Sequence, residues 1–278
     1  MMAAPDLVGQ MPHTATGTRR RLRQDRYAPY FFISPFYILF IIFFMAPTVF
    51  ALGLAFYRWR ALSDPVWFGL RNFERLYGDK VFIQAVKNTV FYSGASLFVI
   101  APLALLEAMA LNSKRLRFRT MWRAVYFSPI VASTVAVSLV FRLLYNRDFG
   151  VINNFLMALG ISPVEWLEGD LSVRIAVMGV VLWRWTGLLA IYFLAGLQNI
   201  PDELHEAAAI DGANGVQRFL YITVPMLRPV TLFVAVIVLI GSFQIFDDPE
   251  ILTNGGPANK SLSIVQYLHT RGIERLEY

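Results

Sequence analysis

From Ala28 to Tyr57 the chain carries no Asp, Glu, Lys, Arg or His. Roughly 20 apolar residues suffice to cross the hydrocarbon core of a bilayer, and inside lipid a chain segment must satisfy its own backbone N–H and C=O groups. This one run therefore commits the protein to a membrane helix, with Pro35 and Pro47 as kink or end points. Four further apolar runs follow, so that spans are predicted at about 28–57, 88–111, 124–145, 175–200 and 229–246. With 56% hydrophobic residues, above the usual 45–50% or so of soluble domains, the chain reads as one all-α polytopic bundle rather than two globular domains.

Charge orients the spans. Arg19, Arg20, Arg21, Arg23 and Arg26 crowd the tail, residues 1–27, before the first run, and Lys114, Arg115, Arg117, Arg119 and Arg123 fill the second connection with no acid among them. Both belong in the cytoplasm by the positive-inside rule. The first run is too long for a signal-peptide core and lacks a small-residue cleavage site, so it reads as a retained anchor. The connection after the third run sets Arg142 and Arg147 against Asp148, Glu165, Glu168 and Asp170 and belongs outside, with a short interfacial helix over 149–159 and Trp166 near the headgroups. Arg58, Arg60, Arg71, Arg75, Lys80 and Lys87 are awkward for the outside loop they fall in, but the other loops outweigh them. The net charge of +6 comes largely from arginines beside apolar runs, which points to anionic lipid rather than nucleic acid.

Several chemistries find no residues here. Without cysteine there is no thiolate metal site, cluster or nucleophile, and His13, His205 and His269 are scattered. No Gly-x-x-x-x-Gly-Lys-Ser/Thr run exists to cradle phosphates. The charges deep inside the spans are Glu107 and Arg184, Arg142 lying near the end of the third. An intramembrane arginine must face the interior, pair or snorkel, so Arg184, within Trp183-Arg184-Trp185-Thr186-Gly187, either lines a path with rings able to stack on a sugar or is a structural charge tied to Glu107 or another subunit.

The polar stretch 201–228 separates the fourth and fifth runs. Pro201 followed by Asp202, Glu203 and Glu206 places acids at a helix start. Asp211-Gly212 is a stop, and Asn214 with Gln217 forms a capping-box pattern. Two short helices at an angle are predicted, on the cytoplasmic side by alternation.

Glu206-Ala207-Ala208, three residues, Gly212, nine residues, then Ile222-Thr223-Val224-Pro225 resembles the signature loop of permease subunits of binding-protein-dependent ABC importers, with Val224 where the family has Leu. Trp67 to Phe73 with Asn88-Thr89, and Phe246-Asp247 with Leu252-Thr253-Asn254-Gly255-Gly256-Pro257, resemble external loops of the carbohydrate-type members. The resemblance implies that Glu206, Ala207, Ala208, Asp211, Gly212, Ala213 and Pro225 couple to a cytoplasmic ATPase, the acids capping or pairing and the small residues allowing close docking. It implies a pathway near Trp183, Arg184, Trp185, Thr186, Gln244 and Asp247, and contact of Asn254, Gly255, Gly256 and Pro257 with an external solute-binding protein. It further implies a second homologous permease, two ATPase subunits holding ATP and magnesium, none of it bound by this chain, and a multi-pass place in a bacterial inner membrane. The family's last helix would begin about where this sequence ends, so a sixth span is expected beyond Tyr278. A sugar or polyol is the expected solute, a glycerol phosphate the alternative. An intramembrane enzyme would need paired acids or histidines within the spans; a non-transporting scaffold remains the other reading.

Overall fold

The computed structural model describes residues 18–59, 64–113 and 116–274. The tail up to residue 17, Arg60, Lys114, Arg115 and residues 275–278 lie outside these, as do the side chains of Arg19, Arg20, Arg21, Arg23 and Arg26. The chain divides into two units, Met1–Asn72 and Phe73–Tyr278.

The first unit is built on α1 (Tyr27–Leu54), whose apolar side chains lie exposed along the helix, with Phe36, Phe40 and Phe44 stacked at successive i, i+4 steps. Pro47 does not end it. A five-residue wide turn, Ile41–Met45, in which the Ala46 amide reaches back to the Ile41 carbonyl, precedes the proline. A proline ring clashes with the carbonyl four residues back and offers it no N–H; a widened turn relieves the crowding. The same arrangement recurs before Pro102, with a wide turn at Ser96–Ile100, and before Pro225, with one at Phe219–Thr223. After α1, β1 (Tyr57–Arg58) pairs antiparallel with β2 (Val66–Trp67), and the Asn72 amide closes the loop by donating to the carbonyls of Ala55 (3.0 Å) and Tyr57 (2.8 Å).

α2 (Arg71–Gly78) starts in the last two residues of the first unit and carries the chain into the second. The second unit continues through α3 (Lys80–Asn112), α4 (Arg119–Val131), α5 (Thr134–Leu144), α6 (Val151–Ala158) and α7 (Asp170–Gln198). Then come α8 (Asp202–Ile210), α9 (Gly215–Met226), α10 (Arg228–Phe243), α11 (Asp247–Thr253) and α12 (Ile264–His269). Among the described residues α1, α3 and α7 are each long and apolar enough to span a membrane, and the bent pairs α4–α5 and α9–α10 raise the number to five if each pair is one span.

The third apolar run, read from sequence as one span, is broken by a 95° bend. Pro129 leaves the Val125 carbonyl without its helical donor, the Ser128 hydroxyl takes that carbonyl at 2.8 Å, and Ala132 turns extended (ψ 145°). The pair α9–α10 bends by 68° at Leu227, beside Pro229 in the first turn of α10.

α7 is the axle of this unit. Ala176, Val177, Val180, Leu189, Ala190 and Phe193 are buried along it, against Ile100, Ala104 and Ala108 of α3 and Val234 and Val238 of α10. Small residues let membrane helices approach closely. The extreme case is Gly187, where a Cβ would lie 1.9 Å from the Tyr126 carbonyl oxygen of α4.

The start of α3 is tied to the C-terminal segment by polar groups. Asn88, fully buried, donates to the carbonyls of Asn259 (3.0 Å) and Leu262 (2.9 Å); Tyr92 donates to Ser261 O (2.8 Å); Thr89 Oγ1 accepts from the Ile264 amide (3.0 Å). Asp79, just before α3, caps it by accepting from the amides of Val81 and Phe82, and its other oxygen accepts from Tyr267 (2.8 Å) and Arg271 (3.2 Å). Burial alone would raise the Asp79 carboxyl, but the hydrogen bonds and the Arg271 charge outweigh it and hold its pKa below the usual value. A depressed carboxyl stabilises the fold above its unfolded value of about 3.9 and loses that contribution as pH falls through the folded one.

Asp79→Ala is therefore expected to cost about 1 kcal/mol at neutral pH and to flatten the fall in melting temperature between roughly pH 5 and pH 3, read by thermal unfolding in detergent. Gly187→Ala is expected to insert normally but to melt lower, by about 1–3 kcal/mol of stability, because two backbones would have to part.

Candidate coupling loop and translocation cavity

α8 starts after Pro201 with Asp202 and Glu203 in its first turn. It ends where the Ala213 amide reaches the Ala208 carbonyl (2.8 Å) and the Asp211 amide the Ala207 carbonyl (3.0 Å), a closure that requires the left-handed Gly212 (φ 82°). Asn214 and Gln217 then make the reciprocal capping box, amide to side chain at 2.8 and 2.9 Å, and start α9. The two short helices expected from the sequence form, although α9 runs on through Pro225 by way of the wide turn. Glu206, Ala207, Asp211 and Gly212 are exposed; Ala208, Ala213 and Pro225 are half-buried. Ile210, 87% exposed, stands beside Gly212 at the tip of the elbow, with Val216 exposed as well. These two apolar side chains were not singled out from sequence, where an isoleucine at a helix end looks like any helix residue.

A cavity of about 250 Å³ lies between α3, α7, α10 and α11. Its walls include Ser96, Arg184, Trp185, Ser242, Gln244, Asp247 and Asp248. Arg184 is 8% exposed and its Nη1 donates to Asp248 Oδ1 at 2.8 Å. The sequence reading offered Glu107 or another subunit as its partner; the partner is Asp248, which comes onto α7 with α11. The Nε of Arg184 is buried with no hydrogen-bond partner among the described residues.

Of the six residues read as a pathway, Arg184, Trp185, Gln244 and Asp247 line this cavity. Trp183 and Thr186 do not. Trp183 is 45% exposed with its ring against Phe141, because residues one apart on a helix face different ways, and the Thr186 hydroxyl bonds back to Leu182 O (2.6 Å). Asp248 was missed, though an intramembrane arginine calls for an acid and Asp248 adjoins Asp247.

At the opposite end of α11 from the cavity, Asn254 (φ 51°) and Gly255 (φ 72°) turn the chain; a Cβ on Gly255 would meet Leu262 Cδ1 at 2.8 Å. Gly256 and Pro257 face a cleft of about 740 Å³ with Arg142, Asp148, Glu165 and Glu168, in which Arg147 pairs with Glu165; Asn254 faces a separate cleft with Tyr267 and Arg271. α6 is the short helix expected there, but Trp166 is packed into the protein. Its ring lies 5.6 Å from that of Tyr145, and its Nε1 donates at 3.0 Å to buried Asn153, which also bonds the backbone of Arg147 and Val164.

Comparison with known proteins places this architecture. Residues 25–269 match the family described as "Binding-protein-dependent transport system inner membrane component". The arabinooligosaccharides transport system permease protein AraP of Bacillus subtilis is 38% identical over 261 residues, covering 93% of this chain and 82% of that protein. The lactose transport system permease protein LacF of Rhizobium radiobacter is 37% identical over 86% of this chain and 80% of its own length. The trehalose/maltose transport system permease protein MalF of Thermococcus litoralis is 33% identical over 84% and 80%. Among solved structures, a chain of a bacterial ABC transporter involved in the import of the acidic polysaccharide alginate superposes with a TM-score of 0.75 at 27% identity, covering 92% of this chain and 88% of that one. The long helices, the exposed elbow and a match over most of the sequence lead to one assignment: the chain belongs to the family of inner membrane components of binding-protein-dependent transport systems, and is a permease subunit of an ABC importer, not an enzyme.

Proposed function

We propose that this permease carries a saccharide, and that the α8–α9 elbow is where a cytoplasmic ATPase drives it. The observation that carries the reading is the elbow itself. A folded, capped helix pair projects Ile210, Glu206 and Asp211 into solvent beside a glycine whose Cβ position is open space. Such a shape fits a cleft on another protein, and α9 runs directly into α10, one wall of the cavity. The names of AraP, LacF and MalF support a saccharide solute, and a solved neighbour in complex with an alginate-bound periplasmic protein supports an external binding protein as delivery partner.

On this reading the N-terminus is cytoplasmic, a second permease completes the pathway, and two ATPase subunits supply ATP and magnesium. Closure of the ATPases moves the elbow, tilts α9–α10 and opens the cavity outward while the binding protein releases its solute. ATP and loaded binding protein shift the population only to the extent that they bind the outward state better than the inward one. In the cavity Trp185 offers a face for a sugar ring, and Gln244 and Asp247 offer donors and acceptors for hydroxyls.

Gly212→Asp is expected to leave the importer assembled and to cut binding-protein-stimulated ATPase and uptake by roughly tenfold or more in proteoliposomes; uptake at the native rate would count against the coupling role. Arg184→Leu alone is expected to destabilise by about 3–5 kcal/mol, since it strands buried Asp248. The double replacement Arg184→Leu with Asp248→Leu is expected to restore assembly, measured by gel filtration with the partner subunits, without restoring saccharide uptake.

A further inference from the structure

Resting on the reading of this cavity as the saccharide path, we infer that it is a charge filter that admits uncharged saccharides and rejects anionic ones, with Asp247 as the selecting residue. Among the described residues that line the cavity, Arg184 is the only cation, set against two acids, Asp247 and Asp248. Arg184 is already committed to Asp248 through a 2.8 Å bond between two side chains no more than a tenth exposed. Asp247, on the adjoining position and exposed at the wall, has no ion pair among the described residues. The lining therefore carries a net charge of −1, one arginine against two aspartates.

The polar atoms left over suit a neutral guest. Asp247 presents an exposed carboxylate at the cavity wall. A sugar hydroxyl brings no charge and can donate its proton to the Asp247 carboxylate. Gln244 adds an amide able to act both ways, and Trp185 an aromatic wall for the C–H face of a ring. A carboxylate or phosphate on the solute would enter a site whose guanidinium charge is neutralised by Asp248, against the field of Asp247. In a partly desolvated cavity that repulsion is screened far less than in water. The solute class is thus a neutral oligosaccharide, in contrast to the acidic polysaccharide named for the solved neighbour.

The experiment uses the assembled importer in detergent, without binding protein, so that selection by that protein does not intervene. Binding of arabinotriose is compared with that of trigalacturonate, matched in ring number, at low and high salt. The neutral sugar is expected to bind on the order of tenfold or more tightly. Asp247→Asn is expected to narrow the gap and Asp247→Lys to reverse it, and raising the salt is expected to narrow the gap in the native protein. Equal binding of the two sugars by the native importer overturns the filter, as does an unchanged preference in both variants while arabinotriose still binds. Binding of neither sugar by an importer that hydrolyses ATP normally would instead sink the saccharide reading, and the filter with it.

Discussion

The bond between Arg184 and Asp248 is the contact around which the second unit is arranged. A guanidinium in the middle of an apolar helix cannot be left to lipid, and removing it from water is tolerable only with a partner of opposite charge. Asp248 provides that partner, and in doing so holds α11 against α7 just after α10 ends. With α11 fixed, the carbonyl of Ile245 receives the Ser263 hydroxyl at 2.6 Å, and the segment beyond it is fastened to the start of α3 by Asn88, Thr89 and Tyr92. One buried ion pair thus sets the wall of the cavity and, through a chain of hydrogen bonds, the position of the turn at Asn254–Pro257.

Proline governs the rest of the geometry. Pro47, Pro102 and Pro225 each follow a widened turn, so their helices continue through them. Where a second disturbance accompanies the ring, as at Ser128-Pro129 before Ala132 and at Pro225 with Pro229, the helix bends sharply. The two sharp bends fall in the elements that carry α4 against α7 and the elbow against the cavity. Bends of this kind are suited to transmitting a push on α8–α9 into a rotation of α10, because the joint at Leu227 is where the change of direction already lies.

What the residues disclosed by themselves was whatever is local. The apolar runs announced the helices, and the Pro201 start, the Asp211-Gly212 stop and the Asn214/Gln217 box announced α8 and α9 almost to the residue, because each signal acts within four positions. Helix ends were misplaced where charge and apolar residues mix: Lys80 to Lys87 looked like loop yet belongs to α3 once Asp79 caps it, and α7 begins at Asp170 rather than near 175. The bend after Val131 escaped notice because Ser and Pro are both tolerated in membrane helices. The partner of Arg184 lies 64 residues away and the carbonyls that the Asn88 amide donates to lie 171 and 174 residues away, distances across which no periodicity reaches. Trp166 was read as an interfacial tryptophan, and nothing local announced the bond from its indole to buried Asn153.

The central claim is that the elbow and the cavity are one lever, moved by nucleotide on the neighbouring subunits. Because the chain has no native cysteine, a single cysteine at Gln244 is the one maleimide site in this subunit, and labelling is read on its band. Its rate of modification by a membrane-impermeant maleimide, applied from the outside to the reconstituted importer, should rise when ATP is trapped on the ATPases and fall again when nucleotide is removed. A rate that is the same in both states, in an importer that still transports, would contradict the account.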